Sequence, residues 1–217
     1  MKKWFLCFIL IAQMLLIAGC PVNSIETSTE TDSSTGNYCY AINEIPPTLD
    51  LETAEKTIYI INQNVIEAMR DKNFIELQRY IHPASGVRIS LFNMVSTTDV
   101  ILSRDDLLSN QEHFWGLWPG CGERIEMSFG ELFDTILWNR DYSQYAPIFN
   151  PVELSAYHSQ ALGNAYMFYD EFIAVLHLYE GNDEWQRMDW SGLKLIYQQY
   201  LDGNWYLAGI IYCQRRM

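Results

Sequence analysis

His82-Pro83, with Gly86 and Arg88 close behind, is the polar cluster in this chain best suited to chemistry. An imidazole titrates near neutrality and can move a proton, and a guanidinium across from it can clamp an anion. His82 falls between a helical pattern and a strand pattern, so the two side chains can face the mouth of a pocket. The same ring can instead bond the last carbonyls of the preceding helix, where positive charge is stabilised. Asp189-Trp190 is the second candidate. A carboxylate beside a large aromatic can act as a base with a raised pKa, or hold a sugar by stacking and hydrogen bonding. It can equally cap a turn while the indole fills the core, and Arg88 and Asp189 can pair with each other. Together with Trp115, the residues His82, Arg88, Asp189 and Trp190 are the expected lining of a ligand pocket. A His82/Asp189 acid–base pair is what a hydrolase or isomerase would use.

Other chemistry has no signature here. The chain lacks G-x-S-x-G, H-E-x-x-H, G-x-x-x-x-G-K-[ST] and G-x-G-x-x-G. Cys121 stands between Gly120 and Gly122, but no histidine is near it in sequence to lower its pKa. His113, His158 and His177 are scattered without ligand spacing, and no Cys/His cluster has the spacing of a zinc site, so neither metal nor cofactor is expected. Trp115, Trp118, Tyr157, Tyr166, Trp185, Trp190 and Trp205 make the chain aromatic enough to line a cavity or to fill a core.

What positions these residues begins with an address. Lys2 and Lys3 precede the apolar run Trp4–Ile17, which is shorter than the roughly 18–20 residues that span a bilayer comfortably. Ile17-Ala18-Gly19 then leads into Cys20, which resembles the lipobox of bacterial lipoproteins. That resemblance implies a signal peptide over residues 1–19. It also implies a thioether-linked diacylglycerol on the Cys20 thiol and a membrane partner held through at least two acyl chains. Pro21 rather than Asp follows the lipidated position, which favours the outer membrane in a two-membrane cell and the outer face of the plasma membrane otherwise.

Residues 20–50 are dominated by Ser, Thr, Glu and Asp, broken by Gly36 and Pro46-Pro47. They carry too little apolar surface to offset ordering entropy and read as a disordered tether with an end-to-end distance of roughly 30 Å. The formal charge is −13, and loss of Lys2 and Lys3 with the leader takes it to −15. Nucleic acid is therefore not an expected partner. Cys39, Cys121 and Cys213 allow one disulfide, from Cys39 to either of the others, or none.

Residues 51–217 have the texture of one globular domain. Ile58, Ile61, Val65 and Met69, widened by Ile66, predict an amphipathic helix over 51–72. Asn73 predicts the cap of a short helix over 74–81, ended by His82-Pro83, and 87–91 alternates as a strand. Ser103-Arg104-Asp105-Asp106 predicts a helix start for 105–113, with 114–118 extended and 119–122 a turn. Ser128-x-x-Glu131 is a capping box before Leu132, Phe133, Ile136 and Leu137. Strands are predicted over 171–179, 193–200 and 204–212, the last two flanking Leu201-Asp202-Gly203, where Asp-Gly is the turn whose positive φ angles suit a tight hairpin.

Helices first and antiparallel strands last predict an α+β domain with helices on one face of the sheet. The order of elements, with HPASGVRIS and the closing LKLIYQQYLDGNWYLAGIIY, resembles the NTF2-like (cystatin-like) cone fold. HPASGVRIS, WGLWPGCGERIEMSFGELFD and MDWSGLKLIYQQYLDGNWYLAGIIY resemble a family of uncharacterised bacterial lipoproteins. The resemblance implies N-terminal helices packed on a curved antiparallel sheet that ends in a long hairpin. A cone that tends to enclose a pocket, in a chain with no complete catalytic constellation, leads to the expectation of a non-enzymatic module at the cell envelope that binds a small ligand or an envelope protein. Two alternatives stand beside it: an envelope enzyme built on His82 and Asp189, and an immunity or scaffold protein with an exposed apolar patch on its sheet.

Overall fold

The computed structural model describes residues 51–151 and 163–214. The leader, Cys20, Cys39 and the tether, together with Tyr157 and His158, lie outside the described residues.

Helix α1 runs Leu51–Arg70 and buries Ala54, Ile58, Asn62, Val65, Ile66 and Met69, the 3.6-residue stripe that its sequence predicts. The stripe holds one polar position, Asn62, which an apolar pattern does not single out. Asn73 caps α2 (Phe74–Leu77) by accepting the Glu76 N–H at 3.1 Å, and a 3-10 turn over Gln78–Tyr80 completes the predicted short helix. Ser128 and Glu131 form the expected capping box at α3 (Phe129–Leu132), which continues as a π-turn over Phe133–Leu137.

The strands are β1 (Val87–Ser90), β2 (Val100–Leu102), β3 (Glu112–Leu117), β4 (Arg124–Ser128), β5 (Pro147–Phe149), β6 (Phe172–Tyr179), β7 (Ser191–Gln199) and β8 (Trp205–Gln214). Six of them form one curved sheet in the order β2-β1-β8-β7-β6-β5, while β3 and β4 make a separate hairpin. The sheet is antiparallel except that β1 lies parallel to β8, with Arg88 opposite Gly209. Helices and strands together make an α+β domain, as the order of elements predicts.

Alternation along the central strands divides the core in two. Leu193, Leu195 and Tyr197 of β7 join Ile173, Val175, Leu207 and Ile210 and pack in one cluster with α1 and α3. Ile196, Ala174, Ala208, Ile211 and Cys213 face the other way and are covered by Val95, Ala165 and Tyr169. Both faces are therefore buried, where the sequence predicts helices on one. Opposite Ile196–Tyr197 the register slips by one residue on β8, a bulge that turns Gly209 toward Tyr169. A Cβ at Gly209 would overlap the Tyr169 hydroxyl. Glycine there makes the close approach possible.

Two expectations need correction. The segment 105–113 is no helix: a single 3-10 turn, Asp106–Leu108, gives way to β3. Only Leu107 of that turn is buried, and Ser103 and Ser109 hydroxyls bond Asp106 at 2.6 and 2.9 Å, so side chains take the place of the next helical turn. The β7–β8 connection is the three-residue Leu201-Asp202-Gly203 loop that the sequence places there, but its Asp-Gly pair does not share the positive φ expected of it. Gly203 N–H donates to Tyr200 O at 2.9 Å, and Gly203 alone in the loop has positive φ.

Candidate functional site

The predicted pocket residues do not meet. His82 follows α2, and its ring packs 5.3 Å from Tyr200, just past the C-terminal end of β7. Asp189 precedes the first residue of the same strand. At about 3.3 Å per residue the whole of β7, roughly 30 Å, lies between them. A His82/Asp189 acid–base pair is thus split across the sheet. Arg88 does not meet Asp189 either: it donates to Ser96 O at 2.9 Å and lies over the Phe168 ring. Trp115 is buried in the β3–β4 hairpin and donates its indole N–H to Met127 O at 2.8 Å. Trp190 is half-buried against the second core cluster.

His82 serves the turn after it. Nδ1 accepts the N–H groups of Ser85 at 3.0 Å and Ala84 at 3.3 Å, which places the ring proton on Nε2. Burial, helped by Arg104, lowers its pKa, so the ring is neutral. The expected bond to the last carbonyls of the preceding helix is replaced: the ring accepts from the turn after it instead of donating to a helix end.

Asp189 is held as an anion. The Asn182 N–H donates to Oδ1 at 2.8 Å, the Tyr179 hydroxyl donates to Oδ2 at 3.0 Å, and Arg140 Nη2 lies 3.4 Å from Oδ2. The first of these bonds does most to keep its pKa below the usual carboxylate range, against partial desolvation. That is the opposite of a base with a raised pKa. Arg140 in turn lies over Tyr179, with its guanidinium carbon 3.8 Å from the ring centroid.

Beside this latch, at the β5 edge of the sheet, an open groove of about 470 Å3 runs between Tyr145, Ala146 and Ile148 on one side and Tyr179, Glu180 and Gly181 on the other. Tyr145 and Tyr179 are half-buried with ring centroids 5.9 Å apart, and Gln144 and Glu180 line the groove with polar groups. The edge strand is three residues long and opens with Pro147, which keeps a further strand from pairing there and leaves the groove accessible.

A buried chain of hydrogen bonds fixes the Tyr145 wall. The Tyr197 hydroxyl donates to Asn62 Oδ1 at 3.1 Å, Asn62 Nδ2 donates to His177 Nε2 at 3.0 Å, and His177 Nδ1 donates to Tyr145 O at 3.0 Å. All three side chains are at most 3% exposed. Burial pushes the His177 pKa down and the Tyr197 phenol up, so both stay neutral. Ligand spacing alone leaves His177 among the scattered histidines. Two other signals could have found the network: strand alternation places His177 on the same face as Ile173 and Val175, and Ile58 + 4 places Asn62 on the buried stripe.

Among the described residues no group of three or more His, Cys, Asp or Glu is placed to hold a metal ion, and no helix is long and apolar enough to cross a membrane. Cys121 is exposed and Cys213 buried, and neither is in a disulfide with a described residue. A comparison of the sequence with models of protein families and with curated proteins gives no match.

Proposed function

We propose that this chain is a lipid-anchored envelope protein whose folded part, an NTF2-like cone, is a non-enzymatic module that binds a neutral saccharide. The observation that carries the reading is the Tyr145–Tyr179 groove. Sugars present apolar C–H faces and a rim of hydroxyls. Two half-buried phenol rings supply stacking surfaces, and Gln144 and Glu180 supply polar partners at the rim. Carboxylates near the groove, on a chain with formal charge −13, disfavour an anionic ligand. The separation of His82 from Asp189 removes the pair that an envelope hydrolase or isomerase would need, which favours binding over catalysis. The lipid anchor rests on the basic leader, its apolar run and Cys20.

Titration calorimetry of the purified protein against a panel of neutral envelope glycans tests the groove. Binding that weakens about tenfold in Tyr145→Ala and in Tyr179→Ala supports the reading. Saccharide binding indifferent to both substitutions, or none across the panel, overturns it. Labelled palmitate entering the wild type but not Cys20→Ser tests the anchor separately.

A further inference from the structure

The sheet face opposite α1 buries a second polar cluster that the groove does not use. Lys194 of β7 is 0% exposed, and Cys213 of β8 is 4% exposed. Lys194 pairs with Ile211 across the ladder, and Cys213 is two residues farther along β8, so the two side chains are diagonal neighbours on one face. Both reach the same atom. Lys194 Nζ lies 3.2 Å, and Cys213 Sγ 3.1 Å, from Asn93 Oδ1. The amine and the sulfur therefore cannot be farther apart than those two lengths laid end to end. The backbone holds Asn93 in place, with φ at 64° and its N–H donating to Tyr212 O at 2.8 Å.

Neither group is in an ordinary setting. Among the described residues, the group whose charge acts on Lys194 is the Cys213 thiol, not a carboxylate. Burial pushes the lysine pKa down, which favours the free amine, a nucleophile with an available lone pair. The thiol is shielded from bulky disulfide partners and from large oxidants, so the usual routes of thiol oxidation are closed to it. Dioxygen is the small apolar oxidant suited to such an enclosed apolar setting, and the lysine amine is the reactive group at hand.

We propose that Lys194 and Cys213 form a reversible N–O–S bridge that locks β7 to β8 when dioxygen is the oxidant. The amine loses one hydrogen and the thiol loses its own. One oxygen atom of dioxygen is inserted between Nζ and Sγ, and the other leaves as water with the two hydrogens. Nitrogen and sulfur each give up two electrons, which accounts for the four that dioxygen takes. Four electrons and four protons from a dithiol reductant restore the amine and the thiol and release the bridging oxygen as water. The bridged nitrogen keeps one N–H, enough to remain a donor to Asn93.

Intact-mass spectrometry of the full chain, unfolded without reductant after incubation in oxygen-saturated buffer, reads the bridge directly. The expected species has gained one oxygen and lost two hydrogens, returns to the starting mass with dithiothreitol, and yields a cross-linked peptide holding Lys194 and Cys213. Lys194→Met and Cys213→Ala each abolish it. The wild-type peptide map decides the matter even if either variant fails to fold. A gain of oxygen alone (a sulfenic acid), a loss of two hydrogens alone (a disulfide or a direct S–N bond), or no change of mass would each overturn the proposal.

Discussion

Replacing Asn62 by alanine should cost the protein far more than one helix-surface substitution. The side chain is 1% exposed and bridges α1 to β6 and β7. Its removal strands the Tyr197 hydroxyl and His177 Nε2 where water does not replace them, each at about 1–3 kcal/mol. Alanine recovers only about 0.5 kcal/mol through better helix propensity. The expected net loss is about 3 kcal/mol, read as a lower midpoint in urea unfolding followed by tryptophan fluorescence. Adding Tyr197→Phe to the variant removes one stranded group and should recover about 1 kcal/mol. In the wild-type background the same Tyr197→Phe is destabilising, because there it deletes a made bond. An Asn62→Ala variant within about 0.5 kcal/mol of wild type, or a Tyr197→Phe effect of equal sign and size in both backgrounds, refutes the reasoning.

His177 and His82 have folded pKa values below their ordinary 6.5. Below about pH 6.5 the unfolded chain binds protons that the folded rings refuse, so stability falls with falling pH, by up to about 1.4 kcal/mol per pH unit for a ring; a urea midpoint that does not move between about pH 7.5 and pH 5 contradicts this. Gly209→Ala sets a Cβ against the Tyr169 hydroxyl and 2.8 Å from Cζ. It should destabilise by about 1–3 kcal/mol in thermal melts, and Tyr169→Leu should relieve it. Lys194→Met removes a buried amine and leaves Asn93 Oδ1 the Cys213 S–H donor. It should be neutral or stabilising by about 1 kcal/mol near pH 7. The advantage shrinks as pH rises toward 10.5, because the unfolded wild type then no longer gains a proton that the folded state lacks.

Periodicity makes the helices and the late strands legible. Ile58, Val65 and Met69 mark α1, Ser128 and Glu131 mark α3, and the alternating runs mark β6 to β8. These signals are local, a matter of residues three to four or two positions apart. They fail where one local signal competes with another, or where the partner lies far along the chain. Asp105-Asp106 looks like a helix start, but Ser103 and Ser109 turn the backbone aside. The parallel β1–β8 pair joins residues more than a hundred positions apart, Arg88 and Gly209 among them, and no spacing within either segment signals it.

The candidate site departs from expectation for a related reason. Polar residues near turns often share a pocket, which is what groups His82, Arg88 and Asp189. Yet each has a local partner that explains it: the Ser85 N–H, the Ser96 carbonyl and the Asn182 N–H. The polar groups that do converge, Asn62, His177 and Tyr197 on one face and Lys194 and Cys213 on the other, sit inside apolar stretches and attract no notice there. β7 carries a member of each cluster, Tyr197 and Lys194, on alternate sides. A sheet with one wet face makes Lys194 an ordinary solvent lysine. Once Val95, Ala165 and Tyr169 cover that face, the same residue becomes a fully buried amine whose electrostatic neighbour among the described residues is the Cys213 thiol rather than a carboxylate. Its chemistry follows from the cover, so the second face of the sheet is where sequence reading and structure part most.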